Sequence, residues 1–337
     1  MKRTFAALTA VLIATAGLSA CTSTPSPEPT QSASDQDILA LPRVEFVVPV
    51  NSSPFWDEVK RGASAAGKDF KVTIMFNGPD KASDSAGYLK LLRNALKHNN
   101  LIGVGVGPQV AAAADIPATL APAQGTKISV VAVGAPIAKY DAAIATVMSN
   151  NQWIGENAAK QMTNVAGQTG SVAVLTSGDD PATGARADAF SAFVKKTYKT
   201  VTVVAPQDGG GTRANAKKAA QKILADNPDL VGFFGTDSVT TLGIADAVAS
   251  VKGSKVTIVG VDADTDEITA VQKGTITGAY AQNGFNVGYQ TVSLIVNASK
   301  GTPPKDKTML SDVVWYTKSN LKDPAVSQIV LAGKSAT

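Results

Sequence analysis

Four polar side chains in this sequence share one kind of position. Asp237 follows the apolar run Leu230–Gly235 in GTDSVTTLG, Asp262 follows Val256–Val261 in VGVDA, and Gln282 follows Thr277–Ala281 in AYAQN. Arg186 falls in the first turns of a helix that follows Ser171–Thr176. Carboxylates and amides exchange hydrogen bonds with hydroxyls, and a guanidinium fork fixes two oxygens at once. Two large aromatics, Phe55 and Trp56, stand after another apolar run, Val44–Val50, behind Ser53 and Pro54. Aromatic faces cover the weakly polar C–H faces of a sugar ring. Singly, each residue has a plainer reading. Ser53 and Asp237 can cap helices, Asp262 can stabilise a turn, Arg186 can be a surface cation, and the aromatics can pack under their loop. As a set they lie where parallel sheets keep their ligands, just past the C-terminal ends of strands.

Groups for bond-breaking chemistry are scarce. The sole histidine, His98, sits at the polar end of a predicted helix, and the sole cysteine is Cys21, so no zinc site or Cys–His pair can form. Gly103–Gly107 (GVGVG) lacks the spacing of a dinucleotide loop, and Gly209-Gly210-Gly211 reads as a flexible loop with no GK[ST] after it. No metal, cofactor or catalytic residue is expected. An enzyme would have only Asp237 with Asp262 as an acid–base couple.

The elements that would position these side chains alternate. Strands are predicted at Val44–Val50, Lys71–Phe76, Leu101–Val106, Lys127–Val133 and Ala145–Ser149, with helices over Pro54–Lys68 and near Ala82–His98. The pattern then restarts, with helices over Asn151–Val165, Gly184–Lys196, Thr212–Asp226, Thr240–Ala249 and Asn286–Ser299. Strands between and after them fall at Ser171–Thr176, Thr200–Ala205, Leu230–Gly235, Val256–Val261, Thr277–Ala281 and Asp312–Thr317, with a helix or turn at Asp264–Gln272. Alternation throughout argues for an α/β fold of parallel sheets built from right-handed βαβ units. With 337 residues and a mid-chain restart, two doubly wound Rossmann-like lobes are expected.

The N-terminus stands apart. Lys2 and Arg3 precede an apolar run, Phe5–Leu18, too short to span a bilayer and shaped like a secretory leader. It ends in Leu18-Ser19-Ala20-Cys21, which resembles the lipobox of bacterial lipoproteins, so residues 1–20 read as a signal peptide and Cys21 as the lipidation site. Two acyl chains at ~0.8 kcal/mol per CH₂ anchor stably where one does not. Thr22–Leu41 is rich in Ser, Thr and Pro with few large apolar groups, the composition of a tether. The expected location is the cell membrane, lipid-anchored on its extracytoplasmic face. Lys and Arg total 31 against 27 Asp and Glu, or 29 against 27 without Lys2 and Arg3, which is no footprint for nucleic acid.

From about Arg43 to Asn320 the chain resembles the periplasmic type I sugar-binding proteins, the ribose-binding-protein family of ABC importers. The shared words, in order, are PFW, SNN, ARADAF, GTDSVTTLGIADAV, VGVDA, AYAQN and VVWYTKSN. The resemblance implies two lobes joined by a three-strand hinge and closing on a ligand, with residues 41–149 and 283–310 in the first lobe and 150–282 and 311–337 in the second. It implies a monomer that captures a sugar or polyol and passes it to a membrane permease, or a sensory receptor using the same cleft. By position, Phe55 and Trp56 match the aromatics that line the sugar, Arg186 its arginine, Asp262 an aspartate and Gln282 a glutamine. Ser53 and Asp237 stand at sites of asparagine. Two departures stand out: Gly134-Ala135 replaces an Asp-Arg pair, and Gly209–Gly211 replaces a phenylalanine. Both suggest emptied space and a ligand other than ribose.

Overall fold

The computed structural model describes residues 41–178 and 180–331. The leader, Cys21 and the tether lie outside the described residues.

Strand β1 (Arg43–Val47) opens a six-stranded parallel sheet with β2 (Thr73–Asn77), β3 (Leu101–Val106), β4 (Ser129–Val133), β5 (Ala145–Ser149) and β12 (Thr308–Ser311), in the order β12-β5-β4-β3-β1-β2. The second sheet has the order β13-β11-β10-β9-β6-β7, comprising β6 (Gly170–Thr176), β7 (Val201–Val203), β9 (Leu230–Gly235), β10 (Thr257–Val261), β11 (Gly278–Gln282) and β13 (Val313–Tyr316). A two-residue strand, β8 (Gln207–Asp208), pairs with β6.

The nearly continuous apolar runs are explained by burial on both faces. In the first sheet Val47, Val104, Val106 and Ala132 enter one cluster, while Val44, Phe46, Val131 and Val133 enter another on the opposite face. The second sheet divides in the same way, with Leu175, Phe233 and Ile258 on one side and Val174, Phe234 and Val259 on the other.

Helices cover both sheets: α1 (Pro54–Phe70), α2 (Ser85–Ala95), α3 (Ile116–Leu120), α4 (Asn151–Ala166), α5 (Pro181–Thr197), α6 (Arg213–Asp226), α7 (Ser238–Ala249), α8 (Thr265–Lys273), α9 (Gly284–Ser299) and α10 (Pro324–Val330). Helices α1 and α9 nearly touch by their backbones, because a Cβ on Gly62 would stand 1.8 Å from the Phe285 carbonyl oxygen and one on Gly288 1.9 Å from that of Val59. Among the described residues no helix is long and apolar enough to cross a membrane.

The chain passes between the sheets three times. It leaves β5 for α4 through Asn150, leaves β11 for α9 through Asn283, and leaves β12 for β13 through Asp312. Asn150 and Asn283 cap the helices they lead into, accepting from the Trp153 and Asn286 N–H groups at 3.0 Å each. The Ser311 hydroxyl donates to the Asn283 carbonyl at 3.1 Å, tying two crossings together.

Several boundaries move from their predicted places. The first strand stops at Val47 because Pro49 has no N–H to donate, and α1 runs on to Phe70 before Lys71, at φ 54°, ends it. Helix α5 begins at Pro181, three residues earlier than predicted. The predicted strand Thr200–Ala205 shrinks to β7, and β8 carried no sequence signal. The predicted final strand Asp312–Thr317 is one of two segments: β12 closes the first sheet and β13 enters the second. The expectation of uniformly parallel pairing also fails there, since β13 runs antiparallel to β11, Val313 opposite Gln282. The reason is connectivity. β13 enters directly from the other sheet at the end where β11 finishes, with no helix to carry it back to the strand starts.

Candidate functional site

All seven side chains proposed from the sequence to meet a ligand line one cavity of about 370 Å³. Ser53, Phe55 and Trp56 form its wall on the first sheet's side, and Arg186, Asp237, Asp262 and Gln282 its wall on the second. Each follows from local folding. Ser53 caps α1, its Oγ accepting from the Trp56 N–H at 3.3 Å, and this places both aromatics in the first turn. Asp237 caps α7, accepting from the Thr240 N–H at 2.8 Å in a capping box. The capping readings of Ser53 and Asp237 therefore hold alongside their places in the lining.

Arg186 is not a surface cation; it is 4% exposed. Its Nε donates to Asn151 Oδ1 at 2.9 Å, Nη1 to the Thr236 carbonyl at 2.7 Å and Nη2 to Gln282 Oε1 at 2.6 Å. Gln282 Nε2 in turn donates to Asp262 Oδ1 at 2.5 Å, and Asp262 Oδ2 accepts from the Ser238 N–H at 3.0 Å. One guanidinium thus joins α4, α5, β9 and β11, and through Gln282 reaches the turn after β10. Gly155 makes room for the arrangement: a Cβ there would stand 2.3 Å from the Arg186 carbonyl oxygen, so α4 and α5 pack closely only with glycine.

Asp262 holds its place at φ 96°, a left-handed conformation rare for an aspartate, which the surrounding hydrogen bonds must impose. Burial raises its carboxyl pKa above the ordinary range and Asp237 raises it further, against the lowering pull of Arg186, Gln282 and the Ser238 N–H. A third carboxylate, Asp180, also lines the cavity, at the N-cap of α5. Desolvation raises its pKa as well, opposed by the Ala182 N–H and Arg186 and reinforced by Asp237.

Phe55 and Trp56 meet edge to face, ring centroids 5.1 Å apart at 71°. Both are half-buried and pack partly against the core under α1, so packing and a cavity-facing wall coexist in the same rings. The indole rests on the glycines that end β3 and β4: a Cβ on Gly107 would stand 2.7 Å from its ring and one on Gly134 3.4 Å away. Gly134 and Ala135 both line the cavity, with Trp56 at van der Waals distance from a Cβ on Gly134. Gly209–Gly211 departs from expectation, lying outside the cavity lining. That turn is pinned rather than loose, with Gly209 N–H donating to the Thr176 carbonyl and Gly210 N–H to Asp208 Oδ1, both at 2.7 Å.

Sequence reasoning missed Asn151, the Arg186 partner, together with Asp180, Gln109 and Ser149 in the lining. The strand-end rule that found Asp237 and Asp262 also covers Asp180, Gln109 and Ser149, which follow β6 and β3 or end β5. Asn151 stands in the SNN word itself. A second cavity of about 310 Å³ adjoins the first across Phe55, sharing Asp262 and Gln282 and adding Asp57, Glu58, Arg61 and Asp264. Among the described residues no three His, Cys, Asp or Glu side chains are grouped to hold a metal ion.

The arrangement is built for binding: an apolar wall, a braced guanidinium and several hydrogen-bond acceptors converge on a space between two lobes. Known proteins resemble the chain in sequence and fold. The D-allose-binding periplasmic protein of Escherichia coli K12 is 25% identical over 272 residues, covering 78% of this chain and 86% of that one. A carbohydrate transporter solute-binding protein from Agrobacterium radiobacter, solved with D-arabinose, superposes with a TM-score of 0.78 at 22% identity over 86% of this chain and 99% of its own. An ABC transporter solute-binding protein from Agrobacterium vitis, solved with D-fucose, gives 0.76 at 26% identity over the same shares, 86% and 99%. The profile of the periplasmic binding protein domain matches residues 44–303. The chain belongs to the periplasmic binding protein family, whose members bind solutes rather than transform them.

Proposed function

We propose that this protein is a lipid-anchored, extracytoplasmic receptor that captures a sugar or polyol between its lobes and delivers it to an ABC importer permease. The observation that carries the reading is the convergence of Phe55, Trp56, Arg186, Asp237, Asp262 and Gln282, from distant parts of the chain, on one cavity between the lobes. Ring faces against Phe55 and Trp56 and hydroxyls against the opposite wall match the two chemistries of a sugar. The sugars named for the relatives support the ligand class. The first lobe would comprise residues 41–149 and 283–310 and the second 150–282 and 311–337, with closure flexing the three crossings. Cys21 would carry the lipid, and the protein would act as a monomer.

Calorimetric titration of the mature protein against sugars and polyols tests the ligand class. One-to-one binding of a member of the panel is expected; binding of amino acids or nucleosides alone would overturn it. Deleting the chromosomal copy separates transport from signalling. Uptake of the ligand should fail, whereas intact uptake with a lost transcriptional or chemotactic response would assign the cleft to a sensor.

A further inference from the structure

The chain enters the first lobe at the end farthest from the cleft. Every strand of the first sheet runs parallel with its C-terminal end toward the cavity, so the strand starts form the base of the lobe. Leu41 lies at that base: Asn100 Nδ2 donates to its carbonyl at 2.6 Å, and it lines a shallow groove with Gly67, Lys68, Lys71 and Ile74. The base is basic. Lys71, Lys127 and Lys307 stand within two residues of the starts of β2, β4 and β12, with Lys97 on the loop into β3 and Lys305 on the loop into β12. Lys68 and Lys300 add the last turn of α1 and the C-cap of α9. All seven are exposed, and among the described residues none of them is ion-paired. Three exposed carboxylates share this end, Asp69, Asp141 and Asp306, and Asp69 accepts from the Tyr289 hydroxyl at 2.9 Å. Cations suit helix ends, which accounts for Lys68 and Lys300. Lys127, Lys305 and Lys307 stand on loops entering strands, where no helix end calls for them. The Lys307 ammonium also donates to the Ala143 carbonyl at 2.9 Å, joining the entries to β5 and β12.

We propose that this base is a docking surface for anionic phospholipid headgroups, against which the lipid anchor holds the first lobe. The inference rests on the lipid-anchored reading above. Cys21 stands twenty residues before Leu41, a stretch that spans at most about 70 Å fully extended. An anchored chain therefore keeps the base of this lobe, where it enters, closest to the bilayer. Exposed lysines gain attraction to a negatively charged surface within a Debye length, roughly 10 Å. The base of the second lobe carries lysines as well, Lys252 and Lys255 among them. Both sheets turn their strand ends to the cleft, so that second base lies at the opposite end of the molecule from Leu41. Charge alone does not separate the two bases; the point of chain entry does. A first lobe docked by its base leaves the cleft clear of the headgroups, and a hold made of screened surface charges still lets the receptor turn.

Acetylation footprinting of the lipidated mature protein, reconstituted in vesicles, tests the proposal. Mass spectrometry reads the reaction rate at each lysine on phosphatidylcholine alone and on phosphatidylcholine mixed with phosphatidylglycerol. Lys71, Lys127 and Lys305 should react at least about threefold more slowly on the mixed vesicles, and added salt should abolish the difference. Lys252 and Lys255 are internal controls and should react equally on both. The double variant Lys127→Glu with Lys305→Glu should lose the protection at Lys71 while its thermal unfolding stays that of the parent. Equal rates at the first lobe's lysines on the two kinds of vesicle would overturn the inference and leave the anchor intact. Slow rates on both kinds would do the same, assigning the base to the acids that precede Leu41, namely Glu28, Asp35 and Asp37. Equal slowing at Lys252 and Lys255 would reduce the effect to adsorption by either lobe and overturn it too. A mature protein that carries no acyl chain and does not enter vesicles would overturn the lipid-anchored reading and this inference with it.

Discussion

The two walls of the cleft are built on different terms. On the first lobe, Phe55 and Trp56 are half-buried rings in the first turn of one helix, seated on glycines and held by shape. On the second, Arg186 is buried and hydrogen-bonded to residues 35, 50 and 96 positions away in sequence. A buried cation is tolerated only when its donors are satisfied, so that wall must be assembled as part of folding, before any ligand arrives. The aromatic wall carries no such constraint. Stability and affinity should therefore be coupled on the polar wall and separable on the aromatic one.

The largest effect expected is for Arg186→Leu. Removing the cation leaves Asn151, the Thr236 carbonyl and Gln282 without their donor and Asp262 without the positive charge beside it, a loss of about 3–5 kcal/mol. Urea unfolding should show it, with ligand binding abolished in the same variant. Retained stability with lost binding would mean that the arginine serves only the ligand.

Trp56→Ala comes next and should divide the two quantities. Losing the ring face on the ligand side costs roughly 2–3 kcal/mol of affinity, about 30–150-fold. The melting temperature should fall much less than this loss implies; an equal loss of both would return Trp56 to the core. Gly134→Ala should be milder. A left-handed residue, at φ 81°, gains a Cβ at about 1–2 kcal/mol of strain while meeting the indole only at ordinary contact distance, so stability should fall with little change in affinity. Asp237→Ala should cost about 1 kcal/mol as a lost cap, which Asp237→Asn restores.

The smallest effect expected is a pH dependence. The native pKa of Asp262 lies above its ordinary value of 3.8, so the folded state holds that proton more tightly than the unfolded chain. Its contribution to stability is fully present below 3.8 and is lost as pH rises through the raised native value. Thermal unfolding of the ligand-free protein should show this decline over that interval, and Asp262→Asn should flatten it.

Much of this was legible in the sequence for a physical reason. Parallel strands covered on both faces must be continuously apolar, so their C-terminal ends, and the polar residues just beyond, stand out against Val, Ile and Phe. That is how Asp237, Asp262 and Gln282 announced themselves. Interactions between elements were not legible. Nothing local to Arg186 tells a braced core cation from a surface one, because its partners lie on other strands and helices. Nor does the DVVWYT run reveal that it changes sheets and reverses direction, since an antiparallel edge strand reads like any other short apolar run.

The central claim is that both walls act on one polyhydroxylated ligand. Its most direct test is calorimetric titration of the mature protein with sugars and polyols, run in parallel on Trp56→Ala and Asp237→Asn. One-to-one binding in the parent, weakened in both variants while each remains folded, is the predicted result. Unchanged affinity in both would contradict the account and place the ligand outside this cleft.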